Sequence, residues 1–333
     1  MAQDPATSHA APDLSVQLGP LRLKNPVLTA SGTFGYGREY ADFVDPGRLG
    51  AVVVKGISLL PRAGNPPPRL VETPAGLINA IGLENVGVEA FLRDKLPYLR
   101  KRQATVIVNI FGNTIEEYEA LAARLDGAEG VSAIEINISC PNVKQGGMVF
   151  GTDPDMAARV VEAARRATHL PLITKLTPNV TRMADIARAA VDAGSDILSC
   201  INTVAAMAVD AFSRRPKLAN VVGGLSGPAI KPIALRCTYE VAQAVSCPVI
   251  GIGGIVEATD ALEFLLVGAR AVQVGTATFI RPRAVQEIID GIERFLRVEG
   301  IERVEDYIGT LDTKCLFPFA EAACEVVAEE MAQ

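Results

Sequence analysis

Histidine, tryptophan and paired cysteine are what this chain of 333 residues has least of. It holds two histidines, His9 and His169, and no tryptophan. His9 sits in a polar leader and His169 just ahead of an apolar run, so neither is where a strand end would present a catalytic group. A Ser-His-Asp triad and a histidine-ligated metal are therefore not expected. The six cysteines are Cys140, Cys200, Cys237, Cys247, Cys315 and Cys324. None forms a Cys-x-x-Cys pair, which removes the usual ligand spacing of a zinc ribbon or an iron–sulfur cluster. Without an export signal a disulfide framework is not expected either, so each cysteine reads as packing or as a single reactive thiol. No apolar run reaches the roughly 18 residues of a membrane span, and the first residues lack a secretory pattern. The expectation is a cytoplasmic protein with no membrane contact. Basic charge is also short, at 32 Lys and Arg against 38 Asp and Glu. That balance argues against a nucleic-acid partner.

What is present is apolar substance: hydrophobic residues make up 49% and charged ones 21%, a globular balance. Residues 1–12 are polar, Ala/Pro-rich and without periodicity, and read as a disordered leader. Short β-branched runs then alternate with helical patterns. Strands are predicted around Val27–Thr29, Ala51–Ser58, Thr105–Phe111, Ala133–Ser139, Leu172–Thr177, Ile197–Asn202, Val249–Gly253 and Ala271–Thr276. Most are continuously apolar, as parallel strands buried on both faces are. Between them, helices are predicted at Thr114–Leu125, Pro154–Thr168, Thr181–Ala193 and Glu257–Val267. Asn113–Thr114 and Asp153–Pro154 supply starts, and Gly194 and Gly268 supply stops. Eight strand–helix alternations fit a (β/α)8 TIM barrel over residues 13–309 better than a doubly wound sheet. Gly32-Thr-Phe-Gly35-Tyr-Gly37 has the wrong spacing for a dinucleotide fingerprint. Two segments, Leu59–Leu83 and Thr203–Ile230, are too long for plain connections. In a barrel they become extended loops at the C-terminal face, where binding loops collect. Residues 310–333 form an apolar extension, read as a helix packed on the barrel or at an interface.

Polar residues that end barrel strands are the natural functional candidates. Here they are Lys55, Asn109, Asn137, Lys175, and Asn202 with Thr203. Repeated charge at the ends of apolar strands is not what a bland core would hold. The site they outline is donor-rich and cationic, suited to an anionic, planar, hydrogen-bonding ligand. The last two strands end in glycine turns, Gly253-Gly254 and Gly275-Thr276, where backbone N–H groups can approach a phosphate. The alternative reading of these glycines is tight strand–helix packing. With no metal ligands clustered, the phosphate would belong to an organic cofactor, and FMN fits the donor-lined mouth. Cys140 follows the fourth strand, with Pro141 breaking the strand beside it. A free thiol has a pKa of about 8.5, so Cys140 could act as a base without a histidine. Cys200, inside the sixth strand, reads as packing, and the other four cysteines as structural.

Together these residues resemble the class 1 dihydroorotate dehydrogenases, and within them the class 1B catalytic subunit. The resemblance runs from about Leu14 to Gly309. It is carried by V-V-V-K-G-I-S at Val52–Ser58, G-N-P-P-P-R at Gly64–Arg69, N-A-I-G-L-E-N at Asn79–Asn85, I-N-I-S-C-P-N at Ile136–Asn142, G-G-L-S-G-P-A-I-K-P at Gly223–Pro232 and I-G-I-G-G-I at Ile250–Ile255. It implies FMN bound by Ser31, Lys55, Gly56, Asn109, Asn137, Lys175, Ile201, Gly227, Gly253, Gly254, Gly275 and Thr276. Dihydroorotate would be held by Lys55, Asn79, Ala80, Ile81, Gly82, Leu83, Asn137, Asn202 and Thr203. Cys140 would be the base that takes the C5 proton as hydride leaves C6, and Lys175 would offer charge to the reduced flavin. The class 1B subtype implies a homodimer joined, as a heterotetramer, to a subunit carrying FAD and a [2Fe–2S] cluster that passes electrons to NAD.

Three positions depart from the family pattern. Ala80 replaces a glycine and Glu84 an amide, which could tighten or tilt the substrate loop. Glu257 follows the phosphate-site glycines, where a carboxylate would compete with phosphate. Other readings stay open at this point: a fumarate-dependent class 1A-like enzyme, an FMN barrel acting on another pyrimidine, or a flavin-binding barrel without activity.

Overall fold

The computed structural model describes residues 11–138 and 150–314. Cys140 and its neighbours through residue 149, most of the leader, and the extension beyond residue 314 lie outside the described residues.

Eight parallel strands form the centre: β1 (Val27–Thr29), β2 (Val52–Ile57), β3 (Val106–Ile110), β4 (Ala133–Asn137), β5 (Leu172–Leu176), β6 (Ile197–Cys200), β7 (Val249–Ile252) and β8 (Ala271–Val274). Each of the eight predicted spans contains one of them, trimmed by a residue or two at the ends. Every strand pairs with its neighbour in sequence, and β8 pairs with β1. A parallel bridge between Leu28 and Ala51 closes the ring between β1 and β2. The expected (β/α)8 barrel is what forms. Its strands are buried on both faces because helices pack outside and side chains fill the inside.

The outer helices start where local chemistry favours them. Thr114 caps Ile115–Leu125 by accepting from the Glu117 N–H, and Asp153 caps Pro154–Ala167 by accepting from the Met156 N–H. The next helix, Met183–Asp192, begins two residues later than expected, and Arg182 at its cap makes no side-chain capping bond. Gly194 and Gly268 follow their helices with φ of +104° and +106°, a left-handed turn-out that a side chain would strain. At the closed end, Asp13 pairs with the Glu302–Val304 segment, and Gly309 and Leu311 donate to the carbonyls of Leu265 and Leu266.

The two long segments carry short strands of their own. Leu70–Thr73 and Gly76–Asn79 form a hairpin, and Gly76–Asn79 pairs antiparallel with Val222–Ser226, which pairs with Val204–Met207. The result is one four-stranded sheet over the C-terminal mouth of the barrel. Leu77 and Asn79 face the cleft, and the face turned away from it has its own small core of Ile78, Ala80 and Leu218. The strands are only four or five residues long and lie among Pro and Gly, and the central pairing, Gly76–Asn79 with Val222–Ser226, spans more than a hundred residues. No local periodicity carries that pairing.

Gly251 on β7 fits the packing reading of glycine. A Cβ there would lie 2.4 Å from Cδ1 of Phe264, on the helix Ala258–Leu266. Gly251→Val should therefore overpack the strand–helix contact, at about 1–3 kcal/mol. A thermal melt should show a midpoint lower by several degrees. An unchanged midpoint would mean that Phe264 has room to move.

Candidate active site

A cleft of about 630 Å³ opens between the strand ends and the four-stranded sheet. All the residues expected to touch cofactor or substrate line it, except Ala80 and, outside the described residues, Cys140.

Lys55 reaches the cleft because β2 shifts register against β3 between Val54 and Ile57, and the irregularity lies at Lys55–Gly56. The Lys55 N–H donates to the Gly35 carbonyl at 2.9 Å. Burial pushes the Lys55 ammonium below its ordinary pKa of 10.5; Glu84 and Glu39 oppose the shift and Arg69 adds to it. Gly56 makes room beside it, since a Cβ would come within 2.9 Å of the Asn109 amide oxygen. Asn137 ends β4, and its Oδ1 accepts from Asn202 Nδ2 at 3.3 Å. The Asn202 amide oxygen turns back to accept from the Thr203 N–H at 2.8 Å. Asn79, on the lid sheet, donates to the Gly224 carbonyl at 3.1 Å. Amide side chains from the barrel and from its lid thus face one space.

The loop at residues 80–84 is tied down from behind. Asn65 donates its N–H to the Ile81 carbonyl and its side-chain amide to the Ala80 carbonyl, both at 2.9 Å. Arg69 pairs with Glu84 across the loop. Ala80 is fully buried, and its methyl joins the small core with Ile78 and Leu218. Its side chain is turned away from the cleft. Glu84 acts through its ion pair with Arg69.

At the opposite end, Gly253 and Gly254 take φ of +128° and +74°. A Cβ on Gly254 would lie within 2.8 Å of the Lys231 backbone, so only glycine keeps this turn against the neighbouring segment. Thr276 donates to Ser226 Oγ at 2.8 Å. Beside Gly275, the hydroxyl of Thr33 is buried with no partner among the described residues. A phosphate here would meet an unsatisfied hydroxyl and glycine-rich backbone, so the residues fit such a group. Glu257 does not compete for it. That side chain is exposed and off the cleft, while Asp260 takes the Val256 and Glu257 N–H groups.

The expected cationic character needs correction. Arg69 is paired with Glu84, and Lys175 lies 3.7 Å from Glu135, a carboxylate buried in the barrel centre. The cleft is donor-rich with most of its charge compensated. Glu135, Thr33, Ser226 and Arg69 were not among the expected site residues. Glu135 did carry a signal, because it stands two residues before Asn137 and a strand's period of two points both inward. Elsewhere, His169 is exposed, and no cluster of metal-ligating side chains occurs among the described residues.

Fold and cleft define a (β/α)8-barrel protein with a donor-rich cleft at the C-terminal ends of its strands. Residues 13–296 match the dihydroorotate dehydrogenase family. A relative from Pelobacter propionicus, "Dihydroorotate dehydrogenase B (NAD(+)), catalytic subunit", is 61% identical over 301 residues, 90% of this chain and 99% of its own. A protein of the same description from Geotalea uraniireducens is 60% identical over 302 residues, 91% of this chain and 99% of its own. The crystal structure of DHODH from Eimeria tenella in complex with ferulenol superposes with a TM-score of 0.74 at 25% identity, covering 93% of this chain and 91% of that one. The chain belongs to the dihydroorotate dehydrogenase family, a flavin-dependent family of oxidoreductases.

Proposed function

We propose that the protein is the catalytic subunit of an NAD-linked, class 1B dihydroorotate dehydrogenase, with FMN as its own cofactor. One observation carries the reading. Lys55, Asn109, Asn137 and Lys175, from four consecutive strands, meet the Gly253–Gly254 and Gly275–Thr276 turns in a single cleft. The relatives' names favour NAD over fumarate as the final acceptor.

FMN, when bound, supplies the two-electron acceptor for the hydride leaving substrate C6. Its phosphate would lie at the Gly253–Gly254 and Gly275–Thr276 turns, near Thr33. Ser31, Gly56, Ile201 and Gly227 would border it. Lys55 holds the substrate carboxylate, and the amides of Asn79, Asn137 and Asn202, with Thr203, orient the ring. Ile81, Gly82 and Leu83 close over it from the loop that Asn65 and Arg69 tie down. The lid sheet keeps water from the reacting carbons. Cys140 takes the C5 proton; this assignment rests on the I-N-I-S-C-P-N motif. The barrel spans residues 13–309, and the segments on either side are a leader and an extension.

No helix among the described residues is long and apolar enough to cross a membrane, and we place the enzyme in the cytoplasm. The relatives are named as one subunit of a larger enzyme. For this chain the reading is a homodimer joined to a subunit bearing FAD and a [2Fe–2S] cluster. The purified chain, loaded with FMN alone, should be reduced by dihydroorotate yet turn over NAD poorly. Efficient NAD turnover by that chain alone would overturn the two-subunit arrangement.

A further inference from the structure

The most deeply buried carboxylate of the barrel has no part in the chemistry above. Glu135 leaves the middle of β4 and is fully buried. Its Oε2 accepts from Asn109 Nδ2 on β3 at 2.6 Å, and Oε1 accepts from Ser199 Oγ on β6 at 3.0 Å and Gln273 Nε2 on β8 at 2.7 Å. Lys175 Nζ on β5 lies 3.7 Å from Oε2. Only a side chain aimed along the barrel axis can meet four other strands. Its register neighbours are Asn109 on β3 and Ile173 on β5, and those of Ser199 are Lys175 on β5 and Ile250 on β7, so apolar residues are accommodated beside this polar cluster.

Stability does not account for the charge. A buried ion pair replaced by packed apolar residues is often neutral or stabilising. The partners show a division of labour instead. Asn109 and Lys175 line the cleft above, while Ser199 and Gln273 do not. The last two therefore hold the carboxylate, and the carboxylate holds the first two. We propose that Glu135 is a positioning residue: from beneath the cleft it fixes Asn109 and Lys175, and its charge offsets that of Lys175 at the flavin.

This rests on the reading of the cleft as the FMN site. With Glu135 the pair is electrically neutral. Without it, Lys175 becomes an uncompensated cation that favours the anionic reduced flavin. Without Lys175, Glu135 becomes an uncompensated anion that opposes it. At an effective dielectric of about 20, one unit charge at such range is ample to move an equilibrium tenfold.

The test is the reduction potential of bound FMN in the wild type, Glu135→Gln, Lys175→Gln and the double variant. Glu135→Gln should raise the potential and Lys175→Gln should lower it, each by about tenfold in the two-electron equilibrium, or ~30 mV. The double variant, neutral again, should return toward the wild type. Opposite signs with recovery are not what simple loosening of the barrel would give. Glu135→Asp keeps the charge and shortens the reach to Asn109. It should leave the potential near wild type while weakening FMN binding to the apoprotein, and it serves if Glu135→Gln fails to load flavin. A wild-type chain that takes up no FMN overturns the reading of the cleft itself. A flavin-loaded wild type whose potential Glu135→Gln leaves unmoved, or lowers, overturns the role of Glu135 alone. So does a Glu135→Asp variant that binds FMN as tightly as the wild type.

Discussion

Cys140→Ala is expected to slow the anaerobic bleaching of FMN by dihydroorotate by about 10²–10⁴-fold, the usual contribution of a positioned general base. FMN content and melting temperature should stay close to wild type, because a small side chain is lost from a segment that carries none of the residues placed at the phosphate turns. Cys140→Ser should fall near alanine, since a hydroxyl without a histidine is a poor base at neutral pH. A free thiol titrates near 8.5. Wild-type bleaching should therefore accelerate as pH rises toward that value, and the acceleration should vanish in the alanine variant. Stopped-flow reduction between about pH 6 and 10 reads both effects. Bleaching of Cys140→Ala at the wild-type rate would return Cys140 to the ranks of packing residues.

Lys55→Ala should weaken orotate binding by about one to two decades, as loss of a charge-assisted hydrogen bond worth ~1.5–3 kcal/mol requires. The pH dependence has a definite sign. Burial first, and Arg69 after it, lower the Lys55 pKa, against Glu84 and Glu39. The ammonium is fully present below that lowered value and is lost as pH rises through it. Orotate affinity should thus fall on the alkaline side before an ordinary lysine, at 10.5, would lose its proton. Lys55→Ala should be flat over the same range. A flavin-perturbation titration that finds equal orotate affinity in both proteins would remove Lys55 from the substrate site.

The barrel was legible because its signal is local. A run such as Val52-Val-Val54 or Ala133-Ile-Glu-Ile136 is apolar enough to be a strand covered on both faces, and the caps at Thr114 and Asp153 lie beside the helices they start. The strand-end Lys and Asn were visible for the same reason. The lid sheet was hidden, because the pairing that joins its two halves, Gly76–Asn79 with Val222–Ser226, spans more than a hundred residues. Charge in the cleft was misread for a related reason. Lys175 reads as an unpaired cation, because Glu135 joins it only through the fold. Period-two reasoning applied to Asn137 would have reached Glu135 as well, but a carboxylate inside a barrel is costly enough to look like an outward position until its three donors and the Lys175 cation are seen. Ala80 shows the converse. A departure in the sequence pattern at this loop puts its methyl into the small core on the face of the sheet turned away from the cleft.

The most direct measurement of the central reading is an anaerobic titration of the FMN-loaded chain with dihydroorotate, following flavin absorbance and orotate together. One orotate should appear for each flavin bleached, with neither NAD nor a second subunit present. A flavin that stays yellow under excess dihydroorotate would contradict the assignment of this cleft as the oxidising site.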